Sequence, residues 1–177
     1  MSLPETVDRL CSEANGLYSI PQSFPEGIRQ RRFLYGSGLI RTLLSGAGLN
    51  TRWQMRVGGL QADLDYFMDG HRIDLRPLES KDRFAYMALL EPSSNEVWEI
   101  RSIDPRPSIR LFGSFVSKDH FVALTWAWRK ELGGRYAKEW RAAIQEFKEE
   151  WQGYFGNLLP LSGSYPDGYL TNARVIS

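Results

Sequence analysis

Twenty-two Lys and Arg stand against 21 Asp and Glu over 177 residues, leaving a formal net charge of +1 and no global positive field to draw nucleic acid. Hydrophobic residues make up 42% of the chain, enough to build one core, and the length fits a single domain spanning 1–177. Cys11 is the only cysteine, which excludes an internal disulfide and a thiolate-rich zinc site. With no signal-peptide pattern and no apolar run approaching about 18 residues, the expected setting is the cytoplasm, away from membranes.

The first element is a helix. Ser2 is placed to cap it, Pro4 falls in the first turn where a missing N–H costs nothing, and Glu5 completes a capping-box spacing. Val7, Leu10, Cys11 and Ala14 share one face, and Asn15-Gly16 ends the pattern. After a loop from Pro21 to Glu26, a second helix is predicted over Ile28–Leu44. Gly36 and Gly38 weaken its middle, and Gly46-Ala-Gly48 closes it. Residues 1–50 are thus read as a helical N-terminal part.

From Leu60 the period changes. Leu60, Ala62, Leu64, Tyr66 and Met68 alternate with Gln61, Asp63 and Asp65, which predicts a half-buried strand. Asp69-Gly70 has the composition of a two-residue hairpin turn, with His71–Leu75 as the return strand. A second hairpin is predicted between Phe84–Leu90 and Val97–Ile103 across Pro92–Asn95. A third joins Ile109–Val116 to Phe121–Trp128 across Ser117–Asp119. Asp104-Pro-Arg-Pro107 separates these two, because proline cannot donate to a central ladder.

A helix over Tyr136–Phe155 carries Trp140, Ile144, Phe147, Trp151 and Phe155 on one stripe, opposite Lys138, Arg141, Glu146, Lys148 and Glu149. The Gly-, Ser-, Pro- and Asn-bearing stretch 156–177 is expected to run over the surface as a tail. The predicted fold class is α+β: N-terminal helices, an antiparallel β-meander of about five to six strands within 51–130, and a C-terminal amphipathic helix over 136–155, the helices packed on one side of the sheet.

Cations gather at predicted strand ends. Arg101 lies near the end of one strand, Arg110 near the start of the next, Arg129 and Lys130 at the end of the third, and Arg106 in the first connection. A meander sets the end of one strand beside the start of the next. These residues are therefore candidates for one phosphate-binding rim, with Trp126 and Trp128 as surfaces on which bases stack. The same placement describes solvent-facing edge charges that discourage sheet-to-sheet aggregation, the commoner meaning of isolated strand-end cations. His120, at a strand entry, is the candidate proton-transfer group; a turn histidine without a catalytic role fits the same position, and His71 shares that ambiguity.

An acidic set is also visible. Asp63 and Asp65 share a face of the predicted strand, followed by Asp69, Asp74 and Glu79-Ser-Lys81, in the manner of a metal-dependent nuclease. Yet acids are what the solvent face of a half-buried strand carries, and Glu79 and Lys81 fall in a turn, so neither a metal site nor a cofactor is assigned. Ser80-Lys-Asp-Arg-Phe-Ala echoes Ser117-Lys-Asp-His-Phe-Val, a shared turn chemistry ahead of a β-run. Cys11, on an apolar stripe, reads as a structural thiol.

The order Trp98-Glu-Ile-Arg101, Ile109-Arg-Leu-Phe112, Phe121-Val-Ala-Leu124 and Arg129-Lys-Glu-Leu132, followed by a helix, resembles the RelE-like toxins of toxin–antitoxin systems, in particular the HigB branch. The resemblance covers about residues 96–155. It implies a small antiparallel sheet with helices packed on it. It also implies metal-independent cleavage of messenger RNA on the ribosome, with Arg, Lys, His or Tyr orienting phosphate and moving protons. Arg101, Arg110, Arg129 and Lys130 match the family's basic positions. The implied site has His120 and Arg129 as catalytic residues, and Arg101, Arg106, Arg110, Lys130, Trp126 and Trp128 as nucleic-acid contacts. The implied partners are RNA or the ribosome and an antitoxin protein.

Three features depart from the family. A β-hairpin is predicted where the family places a helical hairpin directly before the Glu-x-Arg strand. The chain is longer and less basic, and Trp126-Ala-Trp128 replaces the usual Phe-Lys-Lys. The alternative function, from a different class, is a non-catalytic protein-interaction module of phage or mobile-element origin.

Overall fold

The computed structural model describes residues 2–14, 16–23, 29–46, 50–78, 85–134 and 137–176. Helix α1, Leu3–Ser12, starts as its sequence dictates: the Ser2 hydroxyl accepts the Glu5 N–H, and the Glu5 carboxylate accepts the Ser2 N–H. Strand β1, Tyr18–Ser19, leads toward β2, Phe33–Gly36, and then helix α2, Gly38–Ser45. The single helix predicted over Ile28–Leu44 is therefore corrected to a strand followed by a shorter helix. Phe33, Leu34 and Tyr35 favour extended backbone. Ser37 stops the strand and caps the helix, its hydroxyl accepting the Ile40 N–H and donating to the Leu124 carbonyl.

Helix α3, Thr51–Met68, is the largest correction, because its second half was predicted as a strand. Asn50 caps it by accepting the Trp53 N–H. Val57, Leu60, Leu64, Phe67 and Met68 are buried, which is helical spacing. Asp69-Gly70 closes this helix instead of turning a hairpin: Gly70 has φ +79° and donates its N–H to the Phe67 carbonyl.

The remaining elements are β3 (Ile73–Leu75), β4 (Met87–Leu89), β5 (Trp98–Ser102), β6 (Ile109–Ser117), β7 (His120–Trp128), α4 (Lys138–Phe155) and β8 (Ala173–Val175). They complete a mixed sheet in the order β1-β2-β7-β6-β5-β4-β3-β8. The pairs β4–β5, β5–β6 and β6–β7 are antiparallel, in agreement with the two predicted hairpins beyond residue 84. The pairs β2–β7, β3–β4 and β3–β8 are parallel, which a pure meander does not contain. Ile28, Phe84 and Tyr136 as element ends, Asn15 of the first helix stop, residues 24–26 of the predicted loop, Ala47 and Gly48 of the second helix stop, Glu79-Ser-Lys81, and the Ser80–Phe84 part of the echo lie outside the described residues.

Helices cover both faces of the sheet, not one. Leu43 of α2 and Leu60, Leu64 and Phe67 of α3 pack with Trp98, Ile100, Ile109, Leu111 and Phe115. On the other face, Val7 and Leu10 of α1 and Trp140, Phe147, Trp151 and Phe155 of α4 pack with Val97, Phe112, Val116 and Leu124. Accordingly β6 is buried at every residue except its last. Ile144, expected to be fully inward, is half-buried at the margin of the α4 stripe. The expected surface tail is also corrected: Tyr169 and Leu170 enter the core, and β8 hydrogen-bonds to β3.

Arg56 of α3 anchors the loop between β5 and β6. Its Nε donates to the Pro107 carbonyl at 2.7 Å and its Nη2 to the Ser102 carbonyl at 2.8 Å. Gly59 lets α3 approach this loop, since a Cβ there would lie 2.4 Å from Pro105 Cδ and 2.7 Å from the Asp104 carbonyl oxygen. The end of the sheet that carries Arg106 is thereby held from behind.

Candidate anion-binding rim

Side chains alternate along a strand, so Glu99 and Arg101 project from β5 to the same face, toward α4. Arg110 projects to that face from β6 and is the direct cross-strand partner of Arg101. Like charges at such positions repel. Glu99 answers the repulsion from between them. Its Oε1 accepts from Arg101 Nε at 2.8 Å and from Arg101 Nη2 at 2.7 Å. Its Oε2 faces Arg110 Nε at 3.2 Å, an ion pair without the alignment of a hydrogen bond. The Glu99 side chain is 2% exposed, against 13% for Arg101 and 10% for Arg110.

Arg129 follows β7 directly, in the 3-10 turn Arg129–Glu131. Its guanidinium lies 5.8 Å from the centre of the Trp140 ring, and its Nη1 donates to the Gly133 carbonyl at 2.8 Å. Trp140 in turn meets Phe112 edge-on at 5.9 Å, which ties Arg129 to the α4 face of the sheet. Burial pushes the Arg110 guanidinium down to about 10. Glu99 acts against that shift, while Arg101, Arg129 and Arg56 reinforce it. Arg110 remains a cation at neutral pH.

Three guanidiniums, from β5, β6 and the turn that follows β7, thus share one sheet end with one buried carboxylate. Arg110 Nη1 is held by the Ile109 carbonyl at 3.0 Å, while its Nη2 has no partner among the described residues. Excess positive charge in a partly buried place favours an anion, and planar guanidinium edges suit phosphate or carboxylate oxygens. Arg106, in the β5–β6 connection, and Lys130, beside Arg129, are exposed at the same end of the sheet.

The other predicted site residues lie elsewhere. Trp126 and Trp128 face the opposite side of the sheet, where Trp53 of α3 meets them at 6.2 and 4.9 Å between ring centres. They do not border the arginines. His120 opens β7 while Arg129 follows its last residue, so their backbones stand roughly 27 Å apart at about 3.3 Å per residue. A single scissile phosphate cannot touch both. His120 instead stacks on Phe33 at 4.5 Å, and its Nδ1 lies 3.2 Å from the Tyr35 hydroxyl. Burial lowers its pKa, while Asp119 and Asp8 pull the other way.

The acidic set separates into different partnerships. Asp63 takes the Ser102 hydroxyl, Asp65 the Ser23 N–H, Asp69 lies 2.8 Å from His71, and Asp74 is gripped by Arg174. Asp63 and Asp74 line a cleft of about 280 Å³ with Tyr66, Tyr86 and Arg101, and burial raises the Asp63 pKa. Among the described residues no three His, Cys, Asp or Glu side chains converge to hold a metal ion, and no helix is long and apolar enough to cross a membrane.

Sequence reasoning missed Glu99 and Trp140 as parts of the rim. The signal for Glu99 was present in the Glu-x-Arg spacing, which sets acid and base on one strand face. Trp140 carried no comparable signal, because its ring serves core and cation together. No family model, curated protein or solved structure matches this chain.

Proposed function

We propose that this chain is an RNA-directed protein that contacts phosphate through Arg101, Arg110 and Arg129, with Arg106 and Lys130 as outer cations, in the manner of RelE-like toxins. The observation that carries the reading is the convergence of three guanidiniums on one sheet face with a single carboxylate between two of them. Electrostatic contact with the RNA backbone requires such a surplus locally, even in a chain whose net charge is only +1.

The helical part also supports it. The predicted β-hairpin over residues 60–75 had been a departure from the family, and that stretch is now helix α3 followed by the short β3. Two helices in contact, α2 and α3, thus precede the Glu-x-Arg strand, with β3 and β4 interposed. An antitoxin and the ribosome remain the proposed partners. Endonuclease action belongs to the proposal only through a proton-transfer group at the rim itself, since His120 lies at the other end of β7.

The test is binding of a fluorescent single-stranded RNA across a salt series. Wild-type affinity should fall steeply with salt, and Arg129→Ala and Lys130→Ala should each shallow the log–log slope by about one. Expression in bacteria, with growth and message integrity followed, separates cleavage from binding. Folded wild-type protein that ignores RNA at low salt sinks the reading and leaves the non-catalytic interaction module.

A further inference from the structure

We infer that Trp140 is a positioning residue: its ring fixes the Arg129 guanidinium so that the Nε–Nη2 edge stays open for a phosphate group. The inference rests on the RNA-directed reading and names the contact within the rim that grips phosphate through two oxygens at once. Arg129 starts from a restrained backbone. Its N–H donates to the Ser108 carbonyl at 2.9 Å, and its carbonyl accepts the Leu132 N–H at 3.3 Å. Leu132 is buried in the α4 side of the core, which ties down the turn after β7.

The side chain is then held in two ways. Nη1 donates to the Gly133 carbonyl at 2.8 Å, and the guanidinium carbon lies 5.8 Å from the Trp140 ring centre, within the roughly 6 Å reach of a cation–π contact. Nε and Nη2 have no partner among the described residues. Their N–H groups lie parallel along one edge of the planar fork, the arrangement that matches two oxygens of a phosphate. Trp140 cannot take that ligand itself, because it is buried and its Nε1 is sealed from solvent. Its ring meets Phe112 edge-on at 5.9 Å, so the surface on which Arg129 rests is set by the core. Holding the fork before binding removes rotamer entropy that a free arginine loses on meeting phosphate.

Two accounts of Trp140 differ in what they couple to. If the ring only fills the core, its loss acts on RNA binding without regard to Arg129. If it positions Arg129, its loss matters only while that arginine is present. The experiment titrates a fluorescein-labelled 12-nucleotide oligouridylate with wild type, Trp140→Leu, Trp140→Phe, Arg129→Ala and the Arg129→Ala/Trp140→Leu double variant, each corrected for its folded fraction. Trp140→Leu should weaken binding about threefold to tenfold with the salt slope unchanged, because every cation remains. Trp140→Phe, which keeps a π face, should lose less. The double variant should bind as Arg129→Ala alone binds.

Unchanged binding by folded Trp140→Leu, or an equal loss in the Arg129→Ala background, overturns the assignment. NMR of the free wild type supplies an arm that needs no variant. The Arg129 δ-methylene protons should be shifted upfield by the Trp140 ring; unshifted protons overturn the assignment as well. Inorganic phosphate, followed by the Arg129 Nε–H signal, separates this assignment from the RNA reading. A wild type that ignores the oligouridylate while phosphate moves that signal, and moves it only at higher concentration in Trp140→Leu, defeats the RNA reading and upholds the assignment. A wild type that responds to neither probe defeats both.

Discussion

The two ends of the sheet each bury arginine, and they use it differently. At the end where β6 turns into β7, Arg32 is wholly enclosed. Its Nη1 donates to the Phe67 carbonyl at 2.9 Å, and its Nη2 donates to the carbonyls of His71 at 2.9 Å and Thr171 at 2.6 Å. Its Nε lies 3.5 Å from Asp119. That guanidinium joins β2, the end of α3, the entry to β3 and the approach to β8, and it has one carboxylate to itself. At the opposite end, Arg110 shares its carboxylate with Arg101 and feels Arg129 besides. A buried cation held by several carbonyls acts as a clamp. One that shares its counter-charge is left with capacity for an anion.

The comparison breaks most readily at the clamp. Arg32→Ala strands several carbonyls and Asp119 together, and it should cost about 3–5 kcal/mol of unfolding free energy, the range for breaking a buried pair. Urea denaturation measures this, and a cost below about 1 kcal/mol, within the range of an ordinary substitution, would remove Arg32 as the clamp of that end. Gly70 tests the same end more gently. Its φ of +79° disfavours any side chain, and a Cβ would fall 2.6 Å from Arg31 Cδ. Gly70→Val should cost about 2 kcal/mol and Gly70→Asn less, because asparagine tolerates the left-handed region and valine does not. Equal losses for the two would show that crowding against Arg31, and not backbone conformation, sets the penalty.

The smallest stability effect belongs to the rim. Arg129→Ala, the variant that should shallow the salt dependence of RNA binding, is expected to change unfolding free energy by no more than about 0.5 kcal/mol. Its guanidinium rests on an aromatic ring and a loop carbonyl rather than among core acceptors. A large loss of stability at Arg129 would make the rim a second clamp and erase the contrast between the two ends.

Local pattern determined part of this protein by itself. The β4–β5 and β6–β7 hairpins, the capping box of α1 and the apolar stripe of α4 were legible because each is decided by residues near one another in the chain. The alternation from Leu60 to Met68 misled because Leu60, Leu64 and Met68 are spaced by four. They satisfy a strand and a helix equally, and the decision fell to the burial of Phe67 against the sheet, with Val57 buried on the same helix. The parallel pairs were out of reach of local pattern. Three-residue β8 has no signal of its own, and it becomes a strand because Ile73–Leu75, far earlier in the chain, offers it a ladder.

The site divides along the same line. That cations crowd the strand ends was readable; which face each occupies was not. Face alternates with every residue, so it depends on register, and the irregularity between Phe112 and Gly113 resets that register within β6–β7. The resulting register sends Trp126 and Trp128 toward α3 while Arg110 stays on the α4 side. His120 and Arg129, nine positions apart in sequence, are separated because the segment between them is a β-strand rather than a turn.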